Sequence, residues 1–153
     1  MSRRDQIQMT AAEQAAFLSE QRTVICATNG VGGWPHLMPL WYVVRGEDIW
    51  AWTYGKSQKV RNLERDPRAT LQVEAGEDYD QLRGIMIEAR TEVRSDTDLV
   101  ATLGSELAQR YGGGSLAPEA MDAIRAQAAK RVALRFVAQR TATWDHRKLA
   151  GAY

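Results

Sequence analysis

Between Thr23 and Thr53 the chain offers three strand-like runs with almost no room between them. Thr23–Thr28 is a short apolar run with β-branched residues, Leu37–Val44 is a second, and 49–53 is a third. Asn29-Gly30 with Gly32-Gly33 makes 29–34 a hairpin loop, and Gly46-Glu47-Asp48 turns the chain into the third run. A parallel crossover needs about a dozen residues or more, usually a helix. None fits here, so the expectation is an antiparallel meander rather than an all-parallel sheet. Pro39 falls inside the second run, where a proline implies an edge position, a bulge or a place where the chain faces a ligand.

The clearest alternation lies further on. Ile85, Ile87, Ala89 and Val93 fall on one side and Glu88, Arg90, Glu92 and Arg94 on the other, which predicts a long half-buried strand over 84–94. Ala69–Val73 reads as a strand followed by a polar connection over Ala75–Tyr79. Val132, Leu134 and Phe136 alternate with Arg131, Ala133 and Arg135 to give a last strand, before a tail over Thr141–Tyr153. Thr10 and Glu13 have capping-box spacing, predicting a helix over 10–20. Asp96 or Thr97 starts a second helix to about Arg110, with Leu99, Leu103 and Leu107 on one stripe. Pro118 sits near the start of a third, 117–129. Gly112-Gly113-Gly114-Ser115 reads as a short flexible link. Six strands joined mostly by short loops predict a mainly β protein, an antiparallel barrel with peripheral helices at its ends, as one domain over 1–153.

Composition bounds the partners. The net charge of +1 gives no overall attraction to nucleic acid or to an anionic membrane, so any anion must be held by local clustering. Cys26 is the single cysteine, which rules out a disulfide framework and fits a reducing cytoplasm. No apolar run reaches about 18 residues, so no membrane span is expected. MSRRDQIQMT has charge without a following apolar core, so no secretory signal is expected either. His36 and His146 are far apart in sequence and read as structural or interface residues, not metal ligands.

The most chemical stretch is Trp50–Arg68, WAWTYGKSQKVRNLERDPR. It reads as a strand, a turn at Gly55, and a helix over 58–66 with Ser57 at its N-cap, stopped by Pro67. Free N–H groups, the Ser57 hydroxyl and nearby Lys56 and Lys59 suit a phosphate. The same residues also read as an ordinary capped helix with solvated lysines.

Taken with its neighbours, the stretch resembles the pyridoxamine 5′-phosphate oxidase-like split barrels. Their flavin-binding turn has Thr, a few variable residues, Ser-Arg-Lys, a helix and Asn/Asp-Pro-Arg. Thr53, Ser57 and Lys59 fall on that pattern, Gln58 stands where Arg is frequent, and Asp66-Pro67-Arg68 closes it. Arg22-Thr23 before an apolar strand, Pro35-His36-Leu37-Met38-Pro39-Leu40-Trp41, and the terminal Trp144-Asp145-His146-Arg147-Lys148-Leu149 are similar to the actinobacterial flavin/deazaflavin oxidoreductase branch. Two departures stand out. The strand reading Leu37-Met38-Pro39-Leu40-Trp41-Tyr42 lacks the cations that B6 oxidases often carry for the flavin phosphate, and the tail lacks their Arg-Leu-type ending. Both tilt the resemblance from vitamin B6 oxidation toward the deazaflavin coenzyme F-420, with FMN as the alternative.

The resemblance implies an FMN-binding-like split barrel that dimerises with cofactor sites between subunits. It implies hydride transfer to an electron-poor acceptor such as an activated alkene, a quinone or a tetrapyrrole. A non-catalytic cofactor-binding protein on the same barrel is the other implied class. On this reading Lys59, Ser57 and Gln58 hold the cofactor phosphate, with Thr53 in the same turn and Lys56 and Arg61 near an anionic tail. Met38, Pro39, Leu40 and Trp41, with Trp52 and Thr53, line the ring, and Trp144 and His146 reach in from the second chain. Trp41 and Trp52 equally read as core or interface residues. No acid–base triad is required, because the cofactor carries the chemistry.

Overall fold

A computed structural model describes residues 1–113 and 116–151. Seven strands form one sheet: β1 (Val24–Asn29), β2 (Pro35–Leu40), β3 (Val43–Arg45), β4 (Asp48–Tyr54), β5 (Arg68–Ala75), β6 (Arg83–Arg94) and β7 (Arg131–Asp145). Their order is β2-β1-β5-β6-β7-β4-β3, and every neighbouring pair is antiparallel. The helices are α1 (Arg3–Gln6), α2 (Ala11–Glu20), α3 (Gln58–Arg65), α4 (Thr97–Gly112) and α5 (Pro118–Ala128). Among the described residues no helix is long and apolar enough to cross a membrane.

The mainly β, antiparallel expectation holds, with seven strands rather than six. The difference lies in the run Leu37–Val44, which breaks at Trp41-Tyr42 into β2 and β3. These two strands are consecutive in sequence yet lie at opposite ends of the sheet. Three residue steps reach roughly 10 Å. The sheet must therefore curl until its two edges nearly meet, which makes it a barrel split at that point. Pro39 sits on the edge strand β2, where the missing N–H costs no central ladder bond. A register shift at Glu88/Ala89 in the β6–β7 ladder supplies a bulge that helps a sheet coil.

The break is fixed by side chains of α4. Tyr42 is fully buried, and both of its backbone polar groups have left the ladder. Its N–H donates to the Tyr111 hydroxyl at 3.0 Å, and its carbonyl accepts from Arg110 and from Tyr111. The Arg110 guanidinium also donates to the carbonyls of Leu18, Ser19 and Gln21 at the end of α2. A cation there satisfies orphan carbonyls and complements the helix dipole. The Tyr42 hydroxyl reaches the same place, donating to Leu18 at 2.6 Å. A bidentate Arg45–Glu106 pair ties β3 to α4 as well.

Two apolar cores result from strand alternation. Inside the barrel, Val24, Cys26, Ile49, Ala51, Leu71, Val73, Ile85, Leu134 and Phe136 pack with Val60 and Leu63 of α3, which plugs one end. Outside it, Trp50 and Ala133 pack under Val100, Leu103 and Leu107 of α4 and Ala128 of α5. The predicted helix 10–20 is α2, with the Thr10–Glu13 capping box formed in both directions. Asp96 caps α4, and Pro118 opens α5. The last strand runs on to Asp145, so residues 141–145 are strand rather than tail. The short α1 was not expected from the sequence. Of the predicted link, Gly114 and Ser115 lie outside the described residues, as do Ala152 and Tyr153 of the tail.

Replacing Arg110 by Met keeps most of the volume and removes bonds to four carbonyls. The expected loss is about 3 kcal/mol in urea unfolding. A loss below about 0.5 kcal/mol, the scatter of ordinary surface substitutions, would show that the clamp does not hold the barrel closed.

Candidate functional site

The turn after β4 delivers the chain into α3. The Ser57 N–H donates to the Tyr54 carbonyl at 3.0 Å, and Ser57 takes the extended backbone of an N-cap. Its hydroxyl nonetheless makes no cap bond, and its Oγ is buried with no partner among the described residues. An N-cap serine ordinarily accepts from the second or third N–H of its helix. Here both the hydroxyl and the first N–H groups of α3 are left for a ligand or water.

Lys59 is turned inward. It is 6 % exposed, and its Nζ donates to Thr53 Oγ1 at 2.9 Å, with Thr53 itself buried. An ammonium has three donors, and Thr53 is the only hydrogen-bond acceptor it reaches among the described residues. No carboxylate pairs with it there. Burial depresses its pKa, a Cys26 thiolate would oppose that, and the Arg131 cation adds to the depression. Burial pushes the Cys26 thiol up to about 12, so at neutral pH it is uncharged and cannot serve as counter-ion. A buried cation with one neutral acceptor is poorly compensated. Together with the orphaned Ser57 hydroxyl, it fits an anionic group such as a cofactor phosphate.

The neighbouring residues fix α3. Asn62 is fully buried and donates to Thr28 Oγ1 at 3.0 Å, while Gln58 donates to the Asn62 side-chain oxygen at 2.8 Å. Gln58 and Lys56 are exposed, as is Arg61. The Asp-Pro-Arg motif is structural in this chain. Arg68 forks onto Asp66 at 2.7 Å, Asn29 donates to the same carboxylate, and these contacts hold its pKa well below the usual carboxylate range.

Trp52 and Thr53, both expected at one ring, point to opposite faces of β4, because adjacent strand residues must. Thr53 faces the barrel interior with Lys59, and Trp52 faces α4 and α5. Trp52 joins Pro39, Leu40 and Trp41 in lining an open groove of about 570 Å³ against α4 and α5. Trp41 is 60 % exposed and stacks on Tyr111, ring centroids 4.4 Å apart and 5° from parallel. Met38 is also exposed and lies opposite Cys26 in register, at the open edge of the barrel. The expected residues thus divide into a polar group at α3 and an apolar group at the groove, with Trp52 on the outer face of β4, while Met38 and Leu40 pair with the interior residues Cys26 and Val24 and Leu40 packs against the inner core.

Arg131 joins both and was not expected. It lines the groove and acts electrostatically on Lys59. Alternation along 131–136 marks it only as outward-facing. Trp144 lies over Gly84, where an added Cβ would fall 2.3 Å from the indole, and His146 Nδ1 is 2.9 Å from the Tyr79 carbonyl. Both therefore have partners within their own chain.

A curled antiparallel sheet, split at Trp41-Tyr42 and plugged by α3, defines the class as a split β-barrel. The chain belongs to the pyridoxamine 5′-phosphate oxidase family, which it matches over residues 10–145. Family membership sets the broad reading, a flavin-type oxidoreductase. The chain is similar over 100% of its length, and 95% of the other's, to a conserved hypothetical protein from Mycobacterium tuberculosis, at 39% identity and a TM-score of 0.91. An F420 reductase shares 21% identity over 83% of this chain and 94% of its own, with a TM-score of 0.65. A heme storage protein from Vibrio cholerae shares 18% over 89% and 96%, with a TM-score of 0.68. At the last two identities the likeness is one of fold. No curated protein matches the chain.

The Lys59 environment has a pH signature. Between its depressed folded pKa and the ordinary lysine value the unfolded chain binds more protons, so wild-type stability rises with pH in that window. Lys59→Met lacks this gain. Its stability relative to wild type is therefore expected to be greatest near neutral pH and to fall as pH climbs into the window just below the ordinary lysine pKa. Paired urea titrations from about pH 7 to about pH 10 check this, and an unchanging margin contradicts an uncompensated ammonium.

Proposed function

We propose that the chain is a homodimeric oxidoreductase that uses the deazaflavin coenzyme F-420 to reduce an electron-poor organic acceptor, such as an activated alkene, a quinone or a tetrapyrrole. The observation that carries the reading is the pair of groups at α3, the buried Lys59 ammonium, which among the described residues meets one neutral acceptor and no carboxylate, and the buried Ser57 hydroxyl, which has no partner among them. Lys59, Ser57 and the first N–H groups of α3 would hold the cofactor phosphate, and Gln58 and Lys56 flank it. Met38 to Trp41 and Trp52 would border the ring. Bound there, a flavin or deazaflavin supplies hydride chemistry, and the protein supplies position, electrostatics and exclusion of water. The lack of a lysine or arginine on β2, where B6 oxidases often carry cations for the flavin phosphate, tilts the reading toward the deazaflavin and leaves the α3 turn to do most of the phosphate holding. An F420 reductase is among the proteins of like fold.

Dimer formation is supported by the edge of the sheet. Val31, Trp34, Leu37, Met38 and Trp41 are exposed large apolar residues on β2 and its flanks. An exposed apolar edge strand is a pairing surface unless something covers it. A second copy of the chain is the proposed cover, and it would place the ring site between subunits.

Side-by-side titration of the purified protein with FMN and with F-420 tests the cofactor. Tighter binding of the deazaflavin is expected, and Lys59→Ala should weaken it about tenfold or more through loss of a charged contact. Equal affinity of wild type and variant would sink the phosphate assignment. Clear binding without turnover across a broad acceptor panel would favour a carrier or sequestering protein instead. Sedimentation should report twice the chain mass, and Leu37→Lys should shift it toward the monomer. A wild-type monomer at all concentrations contradicts the dimer.

A further inference from the structure

Arg131 stands where a bare structural role explains little. It lines the groove between the sheet and α4–α5, and its Nε is buried with no hydrogen-bond partner among the described residues. Its guanidinium lies over two aromatic rings, 4.6 Å from the Trp52 centroid and 4.1 Å from that of Tyr54. Among the described residues no carboxylate pairs with it, and no acidic residue lines the groove. The other arginines that pack on aromatic rings from the sheet differ in this respect. Arg45 is paired with Glu106, Arg135 with Asp48, and Arg83 with Glu20. A guanidinium lying over aromatic rings keeps its N–H groups in its own plane, and a carboxylate is the planar acceptor that matches them.

The rest of the groove is apolar. Leu40, Trp41, Trp52, Leu107 and Ile124 form most of its walls, and Gln127 adds an amide. Its floor is fixed by Gly104. A Cβ at that position would fall 2.4 Å from the Trp52 ring, so the indole is seated directly against the α4 backbone. That contact holds Trp52 down and leaves the space above it open. A mostly apolar cleft with one convergent charged group is the usual form of a small-molecule site.

We infer that this groove binds an apolar organic acid, with its hydrocarbon body against Trp41 and Trp52 and its carboxylate on Arg131. The polar site at α3 lies on the other face of β4, so the groove is separate from the proposed phosphate site. As a binding site it stands on the groove alone. As the subsite for the hydride acceptor it rests on the cofactor reading given above, and it narrows the acceptor to one bearing a carboxylate.

The test uses a matched pair of probes, 2-naphthoate and 2-naphthamide, which share a ring system and differ in charge. Binding to the full chain without cofactor is read by calorimetry and by quenching of tryptophan fluorescence. The naphthoate is expected to bind at least tenfold more tightly than the amide. Arg131→Gln should abolish that preference while leaving naphthamide binding in place, and Arg131→Lys should retain part of it. Ala108→Phe, on the groove wall of α4, should weaken both probes. Circular dichroism and urea unfolding confirm that each variant is folded. Equal binding of the two probes, no binding of either, or a preference that survives Arg131→Gln overturns the inference. Loss of the cofactor reading alone, through undiminished affinity in Lys59→Ala, leaves naphthoate binding untouched, so the two failures are distinguishable.

Discussion

Closure of the sheet at Tyr42 is the constraint on which the rest depends. Two residues separate the strands at opposite edges of the sheet, so the barrel can form only if the chain leaves one ladder and enters the other there. Leaving a ladder exposes a backbone N–H and C=O that must find other partners when buried. Tyr111 and Arg110 supply them, and Arg110 reaches on to the α2 carbonyls. One arginine thus joins α2, the strand break and α4. The stack of Trp41 on Tyr111 then follows, since Trp41 is the residue that the break turns outward. Barrel closure and the wall of the groove are parts of one arrangement.

The end plugged by α3 has the opposite character. Val60 and Leu63 complete the interior core, and Asn62 is bonded to Thr28. Lys59, on the same short helix, is buried without a counter-charge among the described residues, and the Ser57 side chain makes no cap bond. A buried unpaired cation lowers stability, and so does an unsatisfied hydroxyl. Local disagreement of this kind with the folding rules marks functional sites in natural proteins. The helix is held firmly by its apolar and amide residues, while Ser57 and Lys59 at its first turn have no anionic partner among the described residues.

Strand β4 separates the two environments by alternation alone. Thr53 faces inward to Lys59, and Trp52 and Tyr54 face outward with Arg131. Two cations, Lys59 and Arg131, lie on either side of this strand, close enough to influence one another. On the proposed reading the first holds a phosphate and the second a carboxylate. A redox site that brings a phosphorylated cofactor to an organic acid would need such a division.

The sequence by itself determined the class of sheet. The short connections across Thr23–Thr53 left no space for crossover helices, and the alternation over 84–94 marked a long strand that faces the core on one side. Local chemistry likewise placed the Thr10–Glu13 capping box, the Asp96 cap and the Ser57 helix start, because these depend on neighbours three or four residues away. What tertiary structure decided was partnership over long distances. The break at Trp41-Tyr42 is invisible in an apolar run, since its cause lies about seventy residues later in Arg110 and Tyr111. The inward turn of Lys59 depends on Thr53, Cys26 and the barrel interior meeting at one point. Arg131 looks like any outward-facing strand residue until α4 and α5 cover that face. Side-chain direction follows from periodicity, but what covers a face, and whether a charge finds a partner, follows only from the folded chain.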